Sequence, residues 1–182
     1  MTGAIRNKIG IDSNVLTYLI ETMSIGEYPT DSIANQKISL LRIFIYSDYT
    51  FYVPETVIFE YLKINNNLKR KLHEHFTHRL FEEISDQDIE GLEAKSLGYN
   101  LIHTGPKGYN DCRIVACAEL YGCGYLLTYD DGLLKNLKGK TKDIKLCKPL
   151  DFWTFLNISK NANITRKPRA SNPLSSQTWW RW

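Results

Sequence analysis

The chain has 182 residues, of which 43% are hydrophobic and 24% charged, with a formal net charge of +3. That length and apolar content predict one folded domain with a sizeable core. No apolar run approaches the roughly 18 residues of a membrane span, and no cleavable apolar leader is present, so we expect a cytoplasmic protein without a membrane partner. Residues 159–182 carry five basic residues and no acid, so the slightly acidic remainder is not a general binder of polyanions.

Short apolar runs alternate with segments of helical spacing along the chain. The first part predicts, in order, a strand over residues 8–12, a helix carrying Val15 and Leu19, a helix over 33–46, a strand over 49–54 and a helix over 56–64. The second part predicts a basic helix over 68–79, a strand over 80–84, a helix over 86–97, a loop over 98–108, a helix over 111–121 capped by Asn110, a strand over 125–128, a helix over 132–137, a strand over 143–147 and a helix over 150–156. Such alternation favours an α/β fold whose parallel sheet is covered on both faces.

Four acids fall where a predicted element changes. Asp12 ends the first strand, Asp111 opens a helix, Asp130 ends a later strand, and Glu60 lies in the helix beyond the second strand. Because the carboxyl ends of parallel strands face one crevice, we expect these carboxylates to meet there. For any one of them taken alone, a helix cap or a solvated surface acid is the alternative.

Ionised carboxylates that share a crevice repel one another. At about 4 Å and an effective dielectric constant of about 20, each pair costs roughly 4 kcal/mol. A divalent cation removes this repulsion, and Mg²⁺ and Mn²⁺ prefer oxygen ligands. Such an ion activates water for attack on phosphorus and neutralises charge on the leaving oxygen. The pattern therefore favours metal-dependent hydrolysis of phosphodiesters.

Four segments resemble, in order, the motifs of PIN-domain nucleases: IGIDSNVL around Asp12, VPETVIFEYL around Glu60, YNDCRIVACAELYG around Asp111, and GYLLTYDDGL around Thr128 and Asp130. The nearest relatives in style are VapC-type toxin ribonucleases. The resemblance implies a three-layer α/β/α sandwich with a central parallel sheet of four or five strands, a Mg²⁺ or Mn²⁺ site, and endonucleolytic cleavage of RNA. For a toxin it also implies a cognate antitoxin and a homodimer. The nuclease domain would span residues 1–158.

When the motif positions of the family are matched to this sequence, the resemblance implies one set of catalytic residues: Asp12, Glu60, Asp111, Asp130 and Thr128. In the family the acids hold the metal, and the hydroxyl helps to place water or to orient an acid. Ser13 takes the small polar position beside the first acid, where it is a candidate for substrate binding. Asp131 is the alternative fourth acid, although the Thr-x-Asp spacing favours its neighbour.

Basic side chains near these motifs are candidates for contacts with RNA phosphates: Lys69, Arg70, Lys107 and Arg113. For the helix over 68–79 the alternative is a solvated face. The same helix carries His73, His75 and His78, and positions two apart on a helix point in roughly opposite directions. The first two of these histidines are therefore not expected to bind one ion.

The chain after residue 158 lies outside the resemblance. Residues 159–182 are rich in Asn, Ser, Pro and Arg, which predicts a flexible extension. It ends in Trp179-Trp180-Arg181-Trp182. These indoles suit stacking on bases, filling a groove on a partner, or packing on their own domain, and the sequence leaves the three open.

The sequence leaves two other functions open. A catalytically silent PIN-fold module that binds RNA or acts as a scaffold would share the fold, but it has no reason to keep mutually repelling acids. A phosphatase of the haloacid-dehalogenase type would use the DSNV segment at residue 12. That family needs a second aspartate two residues after the first, and Asn14 stands there.

Overall fold

The computed structural model describes residues 7–25, 29–103, 108–157 and 167–180. The strands are β1 (Lys8–Ile11), β2 (Thr50–Pro54), β3 (Glu82–Ile84), β4 (Tyr125–Leu127) and β5 (Lys145–Cys147). The helices are α1 (Ser13–Ile25), α2 (Ala34–Tyr46), α3 (Glu55–Leu62), α4 (Asn67–Leu80), α5 (Leu92–His103), α6 (Tyr109–Leu120), α7 (Asp131–Leu137) and α8 (Pro149–Phe155). Over these residues the five strands form one parallel sheet in the order β3-β2-β1-β4-β5, which confirms the predicted α/β fold.

Helices flank the sheet in an α/β/α sandwich. Helix α5 packs against α6 and α7, while α2 packs against α1 and α8. The central strands are covered on both faces, as a parallel sheet requires, so consecutive residues such as Leu126 and Leu127 are both fully buried. None of the helices in the described part of the chain combines the length and hydropathy needed to cross a bilayer.

Strand order reverses at β1. The chain runs outward through β2 and β3 on one side and through β4 and β5 on the other. In such sheets the crevice for ligands opens where the order reverses, beyond the carboxyl ends of the strands. The residues that follow β1 and β4 therefore occupy the position from which a ligand can be reached from both halves of the sheet.

Close packing of β1 against α6 requires glycine at position 10. A Cβ atom there would lie 2.8 Å from the Cβ of Ala118 and 3.1 Å from Cδ1 of Leu126. We expect Gly10→Ala to lower the free energy of unfolding by about 1–3 kcal/mol, the usual cost of overpacking a core. Thermal unfolding measures this loss. Gly98→Ala is the control, because a Cβ in that helix meets nothing within 4 Å and alanine favours helix. A Gly10→Ala variant as stable as the wild type would contradict this packing.

The helix predicted over residues 86–97 is wrong in its position. Residues 86–88 form a 3-10 helix, and Gly91 adopts a left-handed backbone with φ of 76°. Helix α5 begins only after this turn and continues through Gly98 to His103, where a loop was expected. Residues 104–107 of that expected loop lie outside the described part of the chain.

The described part of the C-terminal extension packs on the domain, unlike the flexible segment that its composition predicts. Leu174 is 1% exposed, and the Asn172 side chain donates to the backbone oxygen of Phe44. The Trp179 ring lies 5.2 Å from the ring of Phe76. Apolar contacts and one buried amide thus hold a segment whose polar composition alone carries no such signal. Arg181 and Trp182 lie outside the described residues.

All four cysteines fall within the described ranges and are thiols. Cys112, Cys117 and Cys123 are fully buried. Reduced cysteines are common in protein cores.

Candidate active site

Asp12 is held rigidly where the strand order reverses. Its backbone N–H donates to the Leu127 oxygen of β4 at 3.1 Å, so the acid lies directly between the two halves of the sheet. Its Oδ1 accepts from the Ser13 backbone N–H and its Oδ2 from the Thr128 hydroxyl, each at 2.7 Å. Both carboxylate oxygens therefore have a fixed direction.

The electrostatic environment of Asp12 opposes its negative charge. The side chain is 4% exposed. The pKa of its carboxyl is raised to about 6: burial and the charges of Asp111 and Glu60 raise it, and the hydrogen bonds from Thr128 and Ser13 offset part of this rise. A positive charge nearby would therefore stabilise the ionised form of Asp12.

Thr128 connects two of the predicted acids. It follows β4, is fully buried, and its Oγ1 accepts from the Asp130 backbone N–H at 3.0 Å while donating to Asp12. Asp130 in turn caps α7, because its Oδ1 accepts from the Leu133 N–H at 2.7 Å. The hydroxyl thus orients an acid, which is one of the two roles that the resemblance implied for it.

Glu60 and Asp111 complete the group from two helices that pack together. One Glu60 oxygen accepts from the Ser13 hydroxyl and the other from the Asn110 amide at 3.3 Å. Asp111 lies in the first turn of α6, where burial and then the charges of Asp130 and Glu60 raise the pKa of its carboxyl to about 6. The capping role predicted for Asn110 is wrong, because α6 begins at Tyr109, two residues before the predicted start, with Gly108 in the capping position.

The structure thus brings the four predicted acids into one electrostatically coupled group. Their donor atoms are all carboxylate oxygens, which suit a hard divalent cation. Across residues 7–25, 29–103, 108–157 and 167–180, no three His, Cys, Asp or Glu side chains already stand together as ligands of one ion. The fit to a cation therefore rests on charge and donor type rather than on a preformed coordination shell.

Asp131 differs from Asp130 in its surroundings. Its side chain is 81% exposed and forms an ion pair with Lys148 at 2.7 Å. The charge of Asp130 raises the pKa of Asp111, whereas Asp131 does not contribute to this shift. The geometry therefore favours Asp130 as the fourth acid.

Arg113 is engaged by acids of its own chain. Its Nε and Nη1 bind Asp86 and Glu93, each at 2.7 Å. Asp86 follows β3 and was not singled out from the sequence, although an acid just after a strand is the same signal that identifies Asp12. These ion pairs tie α6 to neighbouring elements, and a contact between Arg113 and RNA stays a prediction.

The other basic candidates occupy varied positions. Lys69 pairs with Glu21 at 3.0 Å, and Arg70 donates to the Asn67 side chain at 3.1 Å. Lys107 lies outside the described residues. Their contacts with phosphate stay predictions.

Two of the histidines of α4, His73 and His75, lie in different environments. His73 is 1% exposed, with hydrogen bonds to the Thr17 hydroxyl at 3.0 Å and to the Lys69 backbone oxygen at 2.8 Å. His75 is exposed on the surface. The expectation that these two point apart is confirmed.

No protein-family model and no curated protein matches the chain. Among solved structures, FitAcB from Neisseria gonorrhoeae aligns with a TM-score of 0.47 and 15% identity over 78% of this chain and 97% of that one. VapBC2 from Rickettsia felis, solved bound to a DNA fragment from its promoter, aligns with a TM-score of 0.45 and 15% identity over 77% of this chain and 97% of that one. Likenesses of this size assign neither a family nor a function.

Proposed function

We propose that this chain is a metal-dependent endoribonuclease of the PIN type, which hydrolyses phosphodiester bonds of RNA. The observation that carries the proposal is the gathering of Asp12, Glu60, Asp111 and Asp130, whose burial and mutual repulsion raise the pKa of two carboxyls to about 6. Keeping such acids together is costly unless a cation binds between them. Their oxygens favour Mg²⁺ or Mn²⁺.

The four acids are the residues that would hold the ion. A bound divalent ion supplies Lewis acidity and a water activated for attack on phosphorus. Thr128 and the Ser13 N–H fix both oxygens of Asp12, while the Ser13 hydroxyl and Asn110 fix those of Glu60. These bonds orient the acids before RNA binds, which reduces the reorganisation that the reaction would otherwise require.

The wider biological role follows from the resemblance alone. It implies that the chain is the toxin of a toxin–antitoxin pair, that a cognate antitoxin blocks it, and that it forms a homodimer. These three statements stay predictions. A neighbouring reading frame for a small DNA-binding protein would support them.

The test uses the full-length chain and a labelled single-stranded RNA. We expect internal cuts with Mn²⁺ or Mg²⁺ and none with a chelator. Intact RNA after incubation with folded, metal-loaded protein would overturn the nuclease and favour the silent module. Loss of a terminal phosphate without internal cuts would instead favour the phosphatase.

Paired substitutions distinguish the two adjacent acids. Asp130→Asn is expected to lower the rate of RNA cleavage by about 100-fold or more, because losing even a residue that only orients a metal ligand costs about 10- to 100-fold. Asparagine caps helices as well as aspartate does, so α7 should stay intact. Asp131→Asn removes only an exposed ion pair, worth under about 1 kcal/mol, and should keep its activity. Single-turnover cleavage rates measure both, and the reverse ranking would make Asp131 the fourth acid.

A further inference from the structure

A second concave site lies along the edge strand β5. The cavity has a volume of about 490 Å³ and lies between β5, α8 and the segment that precedes β5. Three aromatic and three basic residues contribute to its lining: Tyr125, Phe152, Phe155, Lys138, Lys142 and Lys145. We call this cavity the β5 pocket. None of the four acids of the candidate active site lines it.

The aromatic part of the β5 pocket presents one ring to solvent. Phe155, at the end of α8, is 55% exposed. Its ring centre lies 5.6 Å from that of Tyr125 and 6.2 Å from that of Phe152, and the ammonium of Lys145 lies 5.7 Å from it. An exposed ring that is supported by other rings and flanked by a cation suits stacking of a nucleobase.

The segment of the chain that lines most of the β5 pocket has a strongly positive net charge. Residues 138–148 contain five lysines and one aspartate. Lys138, Lys142 and Lys145 are exposed, while Asp143 and Asp151 also contribute to the lining. Basic side chains interleaved with aromatic rings are the combination that holds single-stranded nucleic acid.

The β5 pocket approaches the candidate active site at one end, the carboxyl end of β5. Strand β5 pairs with β4, and neighbouring strands lie about 4.8 Å apart. Cys147, at the pocket, accepts from the Thr128 N–H at 3.1 Å, and the next residue, Lys148, pairs with Asp131. The rings lie at the other end of the pocket, because Phe155 packs on Tyr125 and Lys145, which begin β4 and β5. A strand of RNA that passes the acids would run back along β5 to reach them.

We propose that the β5 pocket is a nucleotide subsite for single-stranded RNA, in which a base stacks on the open face of Phe155 and the lysines contact the adjacent phosphates. The choice of RNA as ligand rests on the proposed function. The pocket would bind a nucleotide away from the scissile bond and so anchor the strand whose cleavage the acids perform.

Binding measured with a chelator present separates this proposal from cleavage. The probe is a fluorescein-labelled single-stranded RNA, and fluorescence anisotropy gives its affinity. Phe155→Ala should weaken binding roughly fivefold or more, the loss expected for one stacked base, whereas Phe155→Trp should retain it. Lys142→Ala should weaken binding and lower the salt dependence by about one phosphate contact. Leu101→Ala, which removes an 80% exposed side chain from α5, is the control and should bind as the wild type does.

Photochemical crosslinking locates the base. RNA containing 5-iodouridine should form adducts with Phe155 or Tyr125. Unchanged affinity of Phe155→Ala together with no adduct in the β5 pocket would overturn the subsite, even if RNA is still cut. An adduct there without any cleavage in Mn²⁺ would support the subsite and overturn the nuclease. Binding of free AMP in the β5 pocket can be compared with binding of RNA that contains the same amount of nucleotide. If AMP binds at concentrations at which this RNA does not, the ligand of the pocket is a free nucleotide and not RNA.

Discussion

Asp12→Asn is expected to reduce RNA cleavage by about 1,000-fold, since a bound metal supplies several kcal/mol of stabilisation to the transition state and about 4 kcal/mol corresponds to that factor. The substitution keeps the shape of the side chain and one oxygen that can accept a hydrogen bond. It removes the charge at the point where the strand order reverses. Single-turnover cleavage of labelled RNA with Mn²⁺ measures the effect.

Thermal unfolding gives a second measurement on the same variant. Mn²⁺ should raise the unfolding temperature of the wild type, because a ligand that binds only the folded state stabilises it, and should not raise that of Asp12→Asn. With a chelator present the variant should be at least as stable as the wild type, because its repulsion with Glu60 and Asp111 is gone. Asp88→Asn, at an exposed acid of the 3-10 helix, is the control. Equal stabilisation of Asp12→Asn and the wild type by Mn²⁺ would place the ion elsewhere.

The largest effect on stability is expected for Glu119→Ala, at about 3–5 kcal/mol of unfolding free energy, the usual cost of breaking a buried ion pair. The Glu119 side chain is 1% exposed and pairs with Lys95 at 2.7 Å. It also accepts from the Tyr99 hydroxyl and from the Asp143 backbone N–H. Removing it leaves the buried Tyr99 hydroxyl, the Lys95 ammonium and the Asp143 N–H without this acceptor. Urea unfolding measures the loss, and Glu90→Ala, at an exposed acid, should change little.

The stabilisation of the fold by Glu119 should decrease at acidic pH. Burial raises the pKa of Glu119, but the hydrogen bonds from Lys95, Tyr99 and Asp143 outweigh it, so the pKa lies below its ordinary value of 4.5. A carboxyl with a lowered pKa stabilises the fold above the pKa of the unfolded chain, and this stabilisation is lost as the pH falls through the folded pKa. The difference in stability between wild type and Glu119→Gln should therefore shrink below about pH 4.5. A difference that is constant down to strongly acidic pH would argue against an ionised Glu119.

Local sequence patterns were sufficient to predict most of the strands and helices. The strand ending before Asp12 and the strand ending before Thr128 are short apolar runs next to helical spacing, and both signals are local. The position of α5 was not predictable in this way. Asp86 resembles a residue at a helix start, but it pairs with Arg113 from α6, and the left-handed turn at Gly91 delays the helix.

Side-chain partners depended on contacts between distant segments. Asn110 has the local pattern of a helix cap, yet its amide binds Glu60, fifty positions away in the chain. The segment around Leu174 has a polar composition typical of a flexible extension, yet this leucine is 1% exposed. Sequence patterns report the preference of a segment for a conformation, whereas these contacts depend on which surfaces the fold brings together.

The sequence by itself determined the alternation of strands and helices and the position of an acid at the end of each central strand, because hydrophobic periodicity and turn residues act over a few positions. The tertiary structure decided which acids act on one another, that Asp130 rather than Asp131 affects Asp111, and that Arg113 binds acids of its own chain. The physical reason is that charges interact through space. Their energies depend on distances and burial that exist only after the sheet has assembled and its strand order has brought the ends of β1 and β4 side by side.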